Sequence, residues 1–147
     1  MKLKSQAHVT YHTRYHLVWI PKYRRKTLVP GVREYFREVM KTYIAGRYPD
    51  VAILECSVQP DHVHLLLEIP PKYAVSKVVG DIKANTAREM RKEFEYLARS
   101  SEMWSVGYFV STVGANERVI RDYIEMQEKQ DTGRAELVLG EDTTGGA

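Results

Sequence analysis

Two imidazoles, His62 and His64, stand in the apolar run "VQPDHVHLLLEIP". The neighbours Leu65, Leu66, Leu67 and Ile69 read as a buried strand. In a strand, residues i and i+2 leave the sheet on the same side, so the two rings lie next to each other while Val63 points to the opposite face. Polar groups paired on one face of a central strand are costly unless something binds them. A lone buried histidine is usually a satisfied core residue, but two on one face, preceded by Gln-Pro-Asp, point to a metal or phosphate site. Neutral imidazole is the commonest protein metal ligand, although two ligands rarely suffice. The remaining histidines are His8, His12 and His16. His12 and His16 fall on one face of the first strand and form a rival cluster, more simply read as polar positions on a half-exposed strand.

The last helical segment, "ANERVIRDYIEMQEKQ", offers a complement. Asn116, Val119, Ile120, Tyr123 and Gln127 follow the i, i+3/i+4 spacing of one helix stripe, which starts apolar and ends in a phenol and an amide one turn apart. The simple reading is a helix packed on the body with Tyr123 at its edge. The chemical reading is a tyrosine nucleophile one turn from an amide oxygen. Two imidazoles and an oxygen donor suit Mg²⁺ or Mn²⁺. The chain has 10 tyrosines, so spacing alone does not select Tyr123. Arg14, Lys22, Tyr23, Arg24, Arg25 and Lys26 gather near the end of the first strand. They fit a single-stranded nucleic acid, with Tyr23 available to stack on a base, or else a solvated basic loop.

These residues need a scaffold, and 147 residues with 44% hydrophobic and 28% charged side chains suit one soluble domain with a real core. No apolar run approaches the roughly 20 residues of a membrane helix, and "MKLKSQAHVT" lacks a signal-peptide core, so a cytoplasmic location without membrane contact is expected. The single cysteine, Cys56, excludes an internal disulfide and a cysteine-based zinc site; within "VAILECSV" it reads as a small core residue. A net charge of +3 permits a nucleic-acid partner without demanding one.

The elements follow from periodicity. "YHTRYHLVWIP" is a strand, and "VPGVREYFREVMKTYIAGRYP" is a helix with Val32, Phe36, Val39, Met40 and Tyr43 on one side. "VAILECSVQ" and "HVHLLLEIP" form a hairpin turning at Pro60-Asp61. "AVSKVVGDIKANTAREMRKEFEYLA" reads as one long helix and "WSVGYFVSTV" as the fourth strand, before the tyrosine helix. The β-α-β-β-α-β order with right-handed connections predicts an α+β, ferredoxin-like (RRM-like) fold. It has a four-stranded antiparallel sheet, helices on one face, and a C-terminal helix carrying the tyrosine. Strands one and three are then the central pair. One domain is expected over residues 1–130, with a flexible tail over 131–147.

"DHVHLLL" is a His-hydrophobic-His (HUH) motif, and "YIEMQ" is similar to the tyrosine-then-glutamine helix of single-tyrosine HUH transposases. With "YHLVWIPKYRRKTL" and the element order, residues 8–130 resemble the transposases of the smallest bacterial and archaeal insertion sequences, the IS Two-Hundred/Six-Oh-Five group. The resemblance implies cutting and rejoining of single-stranded DNA at hairpin-bearing element ends. It makes His62, His64 and Gln127 the holders of a divalent cation, Mg²⁺ or Mn²⁺, and Tyr123 the nucleophile that forms a 5′-phosphotyrosine. It implies a homodimer in which the tyrosine helix completes the partner's histidine site, and a basic loop that grips the hairpin. No ATP is needed, because the covalent link keeps the phosphodiester energy, and no GxxxxGK[ST] motif is present.

Two rivals remain at this level. A non-catalytic nucleic-acid-binding module on the same fold would have no use for paired histidines, and its third-strand [KR]-G-[FY]-[GA]-F-V pattern is absent. A domesticated relative that processes chromosomal repeat hairpins would share the chemistry and differ in genomic context.

Overall fold

The computed structural model describes residues 3–6 and 9–144, with side chains at residue 3 and from 11 to 134; His8 and the last three residues lie outside them. A small hairpin, β1 (Lys4–Gln6) and β2 (Val9–Tyr11), precedes the main sheet. That sheet comprises β3 (Arg14–Trp19), β4 (Ala52–Gln59), β5 (His62–Glu68) and β6 (Phe109–Ser111) in the order β4-β5-β3-β6, all neighbours antiparallel. The helices are α1 (Val32–Arg47), α2 (Val75–Glu93), the short α3 (Glu95–Ala98) and α4 (Glu117–Thr144). This is the expected ferredoxin-like arrangement, with β3 and β5 central and Pro60-Asp61 joining Gln59 to its partner His62.

Alternation decides which side of the sheet becomes the core. Leu17, Trp19, Val63, Leu65 and Leu67 share one face and are fully buried. α1 covers them with Val32, Phe36, Met40 and Ile44, one residue per turn, and α2 with Val78, Val79, Ile82 and Met90. Trp104 packs edge-on against both Trp19 and Phe36, at ring separations of 5.9 and 5.6 Å. α1 starts after Pro30 at Gly31, whose φ of 90° suits a residue without Cβ, and the Glu34 carboxylate accepts the Gly31 N–H.

Four boundaries differ from the sequence reading, each for a local reason. The first strand is interrupted at His12-Thr13, where the Thr13 hydroxyl and carbonyl both bond Ile69 and close that end of the sheet. The long helix breaks at Phe94, whose extended backbone (φ −117°, ψ 110°) lets its ring pack edge-on against Tyr35 at 5.4 Å. The fourth strand is only Phe109–Ser111, because Gly107 at φ 91° turns the chain after Trp104, which makes a lone bridge to Pro21 instead. Finally, α4 does not end at Gln130 but runs to Thr144, with Asp131 fully buried. Cys56 is half-buried at the margin of the core.

Candidate active site

The second face of the sheet carries Arg14, His16, Val18 and Ile20 from β3 and its extension, beside His62, His64, Leu66 and Glu68 from β5. α4 lies across part of this face. Tyr123 and Ile124 form a small buried cluster with Val18 and Ile20, flanked by Phe109 and Ile120. Val18 is the cross-strand partner of His64, and such partners hold their Cβ atoms about 4.5–5.5 Å apart. The tyrosine therefore packs beside the histidine strand. The predicted stripe is rotated in part: Ile120, Tyr123 and Gln127 face inward, Val119 is exposed, and Asn116 caps the helix by accepting the Val119 N–H at 2.9 Å.

The two histidines have different surroundings. His62 donates from Nδ1 to Asp61 Oδ1 at 2.9 Å, which leaves Nε2 as its lone-pair nitrogen. Burial pushes the Asp61 carboxyl up, but its bonds to His62 and Arg24 outweigh this and hold it below the ordinary value. His64 Nε2 lies 3.3 Å from His16 Nδ1, and the rings are tilted at 5.5 Å. Burial, and then the neighbouring His16, hold the His64 pKa below the ordinary value, so the ring is neutral and able to donate a lone pair. The rival histidine cluster is thus divided. His16 belongs with His64, whereas His12 sits between strands with its Nδ1 buried and unpartnered. His16 was discounted in the sequence; the β3–β5 register is what brings it to His64.

On the inner side of α4 itself, a fully buried carboxylate organises the helix. Asp131 accepts from the Ser105 hydroxyl, from the Tyr23 backbone N–H at 3.0 Å and from Gln127 Nε2 at 3.2 Å, with Lys22 Nζ at 3.8 Å. A carboxylate only accepts, so the Gln127 amide must turn its NH₂ towards Asp131 and its oxygen away. Among the described residues no donor reaches that oxygen. No hydrogen bond joins Gln127 or Tyr123 to His62 or His64. Tyr123 is 8% exposed, and its buried hydroxyl has no hydrogen-bond partner among the described residues. Burial, reinforced by the Asp131 charge, pushes the phenol up to about 12. The phenol is neutral as it lies here.

The basic segment splits into two functions. Residues 22–24 form a tight 3-10 turn, with Tyr23 (φ 59°) and Arg24 (φ 53°) both left-handed, a conformation costing on the order of 1–3 kcal/mol per residue. The turn sends Arg24 inward. Its Nε bonds Asp61 and its Nη1 bonds Glu128, both at 2.9 Å, which ties the residue before His62 to the residue after Gln127. Lys22 is also internal, between Glu102 at 3.3 Å and Asp131. Arg14 pairs with the buried Glu68 at 3.0 Å across the central strands. Only Tyr23, Arg25 and Lys26 turn outward from this segment; both cations are exposed, and neither has a carboxylate partner among the described residues.

A four-stranded antiparallel sheet with paired histidines on its central strand, and a tyrosine helix folded over the same face, can now be set beside known proteins. The chain belongs to the IS200-like transposase family, whose model ("Transposase IS200 like") matches residues 9–127. It is 37% identical over 131 residues to the transposase for insertion sequence element IS200 of Salmonella typhimurium, covering 87% of this chain and 85% of that protein. It is 32% identical over 135 residues to the ISDra2 transposase TnpA of Deinococcus radiodurans, covering 89% and 95%. Among solved structures, a transposase crystal structure from Deinococcus radiodurans superposes with a TM-score of 0.77 at 32% identity, covering 84% of this chain and 97% of that one. No helix among the described residues is long and apolar enough to cross a membrane.

Proposed function

We propose that this transposase cuts and rejoins single-stranded DNA at insertion-sequence ends through a covalent link to Tyr123. The observation that carries the reading is the placement of Tyr123 and Gln127 on the inner side of α4, over the sheet face that presents His62 and His64. In the chemical step the phenol oxygen attacks the scissile phosphorus. The new Oη–P bond forms as the P–O3′ bond breaks, leaving a 5′-phosphotyrosine and a strand that departs with a 3′-hydroxyl. The phenolic proton is lost to solvent or the leaving oxygen. Attack by a 3′-hydroxyl on the phosphotyrosine reverses the step and reseals DNA without a nucleotide cofactor.

The donor set fits a hard divalent cation, Mg²⁺ or Mn²⁺. Among the described residues no group of three or more His, Cys, Asp or Glu side chains is placed to hold a metal. Gln127 presents an amide oxygen that no donor reaches among the described residues, a hard ligand of the kind such an ion takes. His62 through Nε2, neutral His64 and Gln127 would hold the ion. When bound, it supplies Lewis-acid polarisation of the phosphate. Asp61 fixes the His62 tautomer, and Asp131 fixes the Gln127 amide.

DNA contact falls to the outward residues Tyr23, Arg25 and Lys26, whereas Arg14, Lys22 and Arg24 act mainly as struts. A homodimer is supported by β6, which ends the sheet. Exposed Val106, Val110 and Val113 lie on or beside it, with Val119 and Met126 on α4. The test is to incubate the protein with end-labelled single strands of the element ends and Mn²⁺. A detergent-resistant protein–DNA adduct is expected, lost in Tyr123→Phe while strand binding is retained. Equal adduct formation by Tyr123→Phe would overturn the assignment.

A further inference from the structure

On the outward side of the 3-10 turn lies a cleft of about 350 Å³, walled by Lys22, Tyr23, Arg25, Tyr96, Arg99 and Glu102 and floored by Ser100 and Ser101. Half of this wall comes from the segment between α2 and β6, which the sequence marks only as the end of a surface helix. The cleft is built, not incidental. The Tyr96 hydroxyl donates to the Thr27 carbonyl at 2.7 Å, which fixes a ring that is still 41% exposed. Arg91 donates to the carbonyls of Ser100 at 2.7 Å, Ser101 at 3.4 Å and Ala98 at 3.5 Å, and so holds the loop in shape. Opposite, the left-handed backbone at Tyr23 sets its ring with Arg25 Cζ at 5.1 Å and Lys22 Nζ at 5.5 Å from the centroid.

The charges select the ligand. Glu102 is paired with Lys22, so these two nearly cancel. Arg25 and Arg99 have no carboxylate partner among the described residues, and they leave the cleft positive. Two aromatic rings, two guanidinium groups without a carboxylate partner among the described residues, and two serines match a nucleotide: a base face for stacking and a phosphate for the cations. The volume lies near the lower end of ligand pockets, about 300–1,000 Å³, and suits one base. A duplex offers no free base face.

We propose that this cleft is a second DNA subsite, which seats one unpaired nucleotide with its base against Tyr96 or Tyr23 and its phosphate on Arg25 and Arg99. The inference rests on the single-strand reading above and extends it to Tyr96 and Arg99. The same turn carries Arg24 inward to Asp61, the neighbour of His62, so the cleft and the histidine site share one turn.

The test compares wild type with Tyr96→Leu, Tyr96→Phe and Arg99→Gln for binding of a fluorescent mixed-sequence single strand and the matching duplex over a salt series. Tyr96→Leu is expected to weaken single-strand binding about 10-fold through lost stacking, with Tyr96→Phe close to wild type. Arg99→Gln is expected to flatten the log–log salt slope by about 0.7. Duplex binding should not change. A strand carrying a photoreactive iodouracil should crosslink to the peptide that contains Tyr96 or Tyr23, a readout independent of variant folding. Wild-type affinity and slope in Tyr96→Leu and Arg99→Gln, with crosslinks elsewhere, would overturn the subsite and leave the single-strand reading standing. Failure of the wild type to bind any single strand would overturn both.

Discussion

The two faces of the sheet divide labour. On one, Leu17, Trp19, Val63, Leu65 and Leu67 disappear beneath two amphipathic helices, and nearly everything is apolar. On the other, only Val18, Ile20, Tyr123 and Ile124 make a compact patch, bordered by three imidazoles, the Arg14–Glu68 pair and the buried Asp131 network. The residues of β3 and β5 supply both, one residue to each side in turn. A large core on the first face lets the second carry groups that oppose folding: an unpartnered phenol, a buried carboxylate and a left-handed turn. Such conflicts between local preference and global fold gather where chemistry is done.

The sharpest contrast comes from truncating each face. Leu65→Ala or Trp19→Ala should cost about 3–5 kcal/mol, read as a lower midpoint in urea denaturation with an unchanged slope. His64→Ala on the opposite side of the same strand should cost far less, yet remove metal-dependent cleavage. An equal loss of stability from Leu65→Ala and His64→Ala would remove the distinction between the faces.

A second effect lies within the catalytic face. Asp131→Ala strips Ser105, Gln127, Lys22 and the Tyr23 N–H of their shared acceptor. It should cost roughly 1–3 kcal/mol. It should also raise the Mn²⁺ concentration needed for cleavage about 10- to 100-fold, the usual effect of losing the group that orients a ligand. Faster amide exchange at Tyr23 would show that the turn has come loose; unchanged exchange would place the network's role elsewhere.

Tyr123→Phe should act in the reverse direction on stability. Removing a buried hydroxyl without a partner should leave the protein equally stable or about 1 kcal/mol more stable, with adduct formation abolished. A large drop in melting temperature would mean that the hydroxyl has a partner in the resting protein.

The smallest effect is one of pH. Burial brings Lys83 down to about 8 from 10.5, against the opposing pull of Asp131, while its ammonium donates to the carbonyls of Ser105 at 2.8 Å and Gly107 at 2.6 Å. Between these values the unfolded chain binds more protons than the folded one, so stability rises with pH. A thermal melt series from pH 8 to about 9.5, below the ordinary tyrosine range, should show a rise that Lys83→Met lacks. An identical profile in the variant would mean that Lys83 keeps an ordinary pKa.

Much of this was readable in the chain because it depends on short periods. Alternation along "HVHLLLE" placed both histidines on one side, and the β-α-β-β-α-β order made their strand central. The inward stripe of α4 was legible from Ile120 to Gln127 but not at Asn116 and Val119, and it was lost again at Asp131, which looks like surface. Its burial depends on Tyr23 and Ser105, which are distant along the chain. The inward course of Lys22 and Arg24 was equally hidden, because neither glycine nor asparagine announces the left-handed turn at Tyr23-Arg24. The His16–His64 contact required the register between strands, which neither strand carries alone.

Mapping the covalent link decides whether Tyr123 is the nucleophile. The protein is trapped on a single strand that bears an element end in the presence of Mn²⁺, then digested, and its nucleotide-bearing peptides are sequenced by mass spectrometry. A single modified peptide is expected, with Tyr123 joined to a 5′-phosphate. Attachment at Tyr23, Tyr96 or any other tyrosine, linkage to a 3′-phosphate, or cleaved DNA without covalent protein would contradict it.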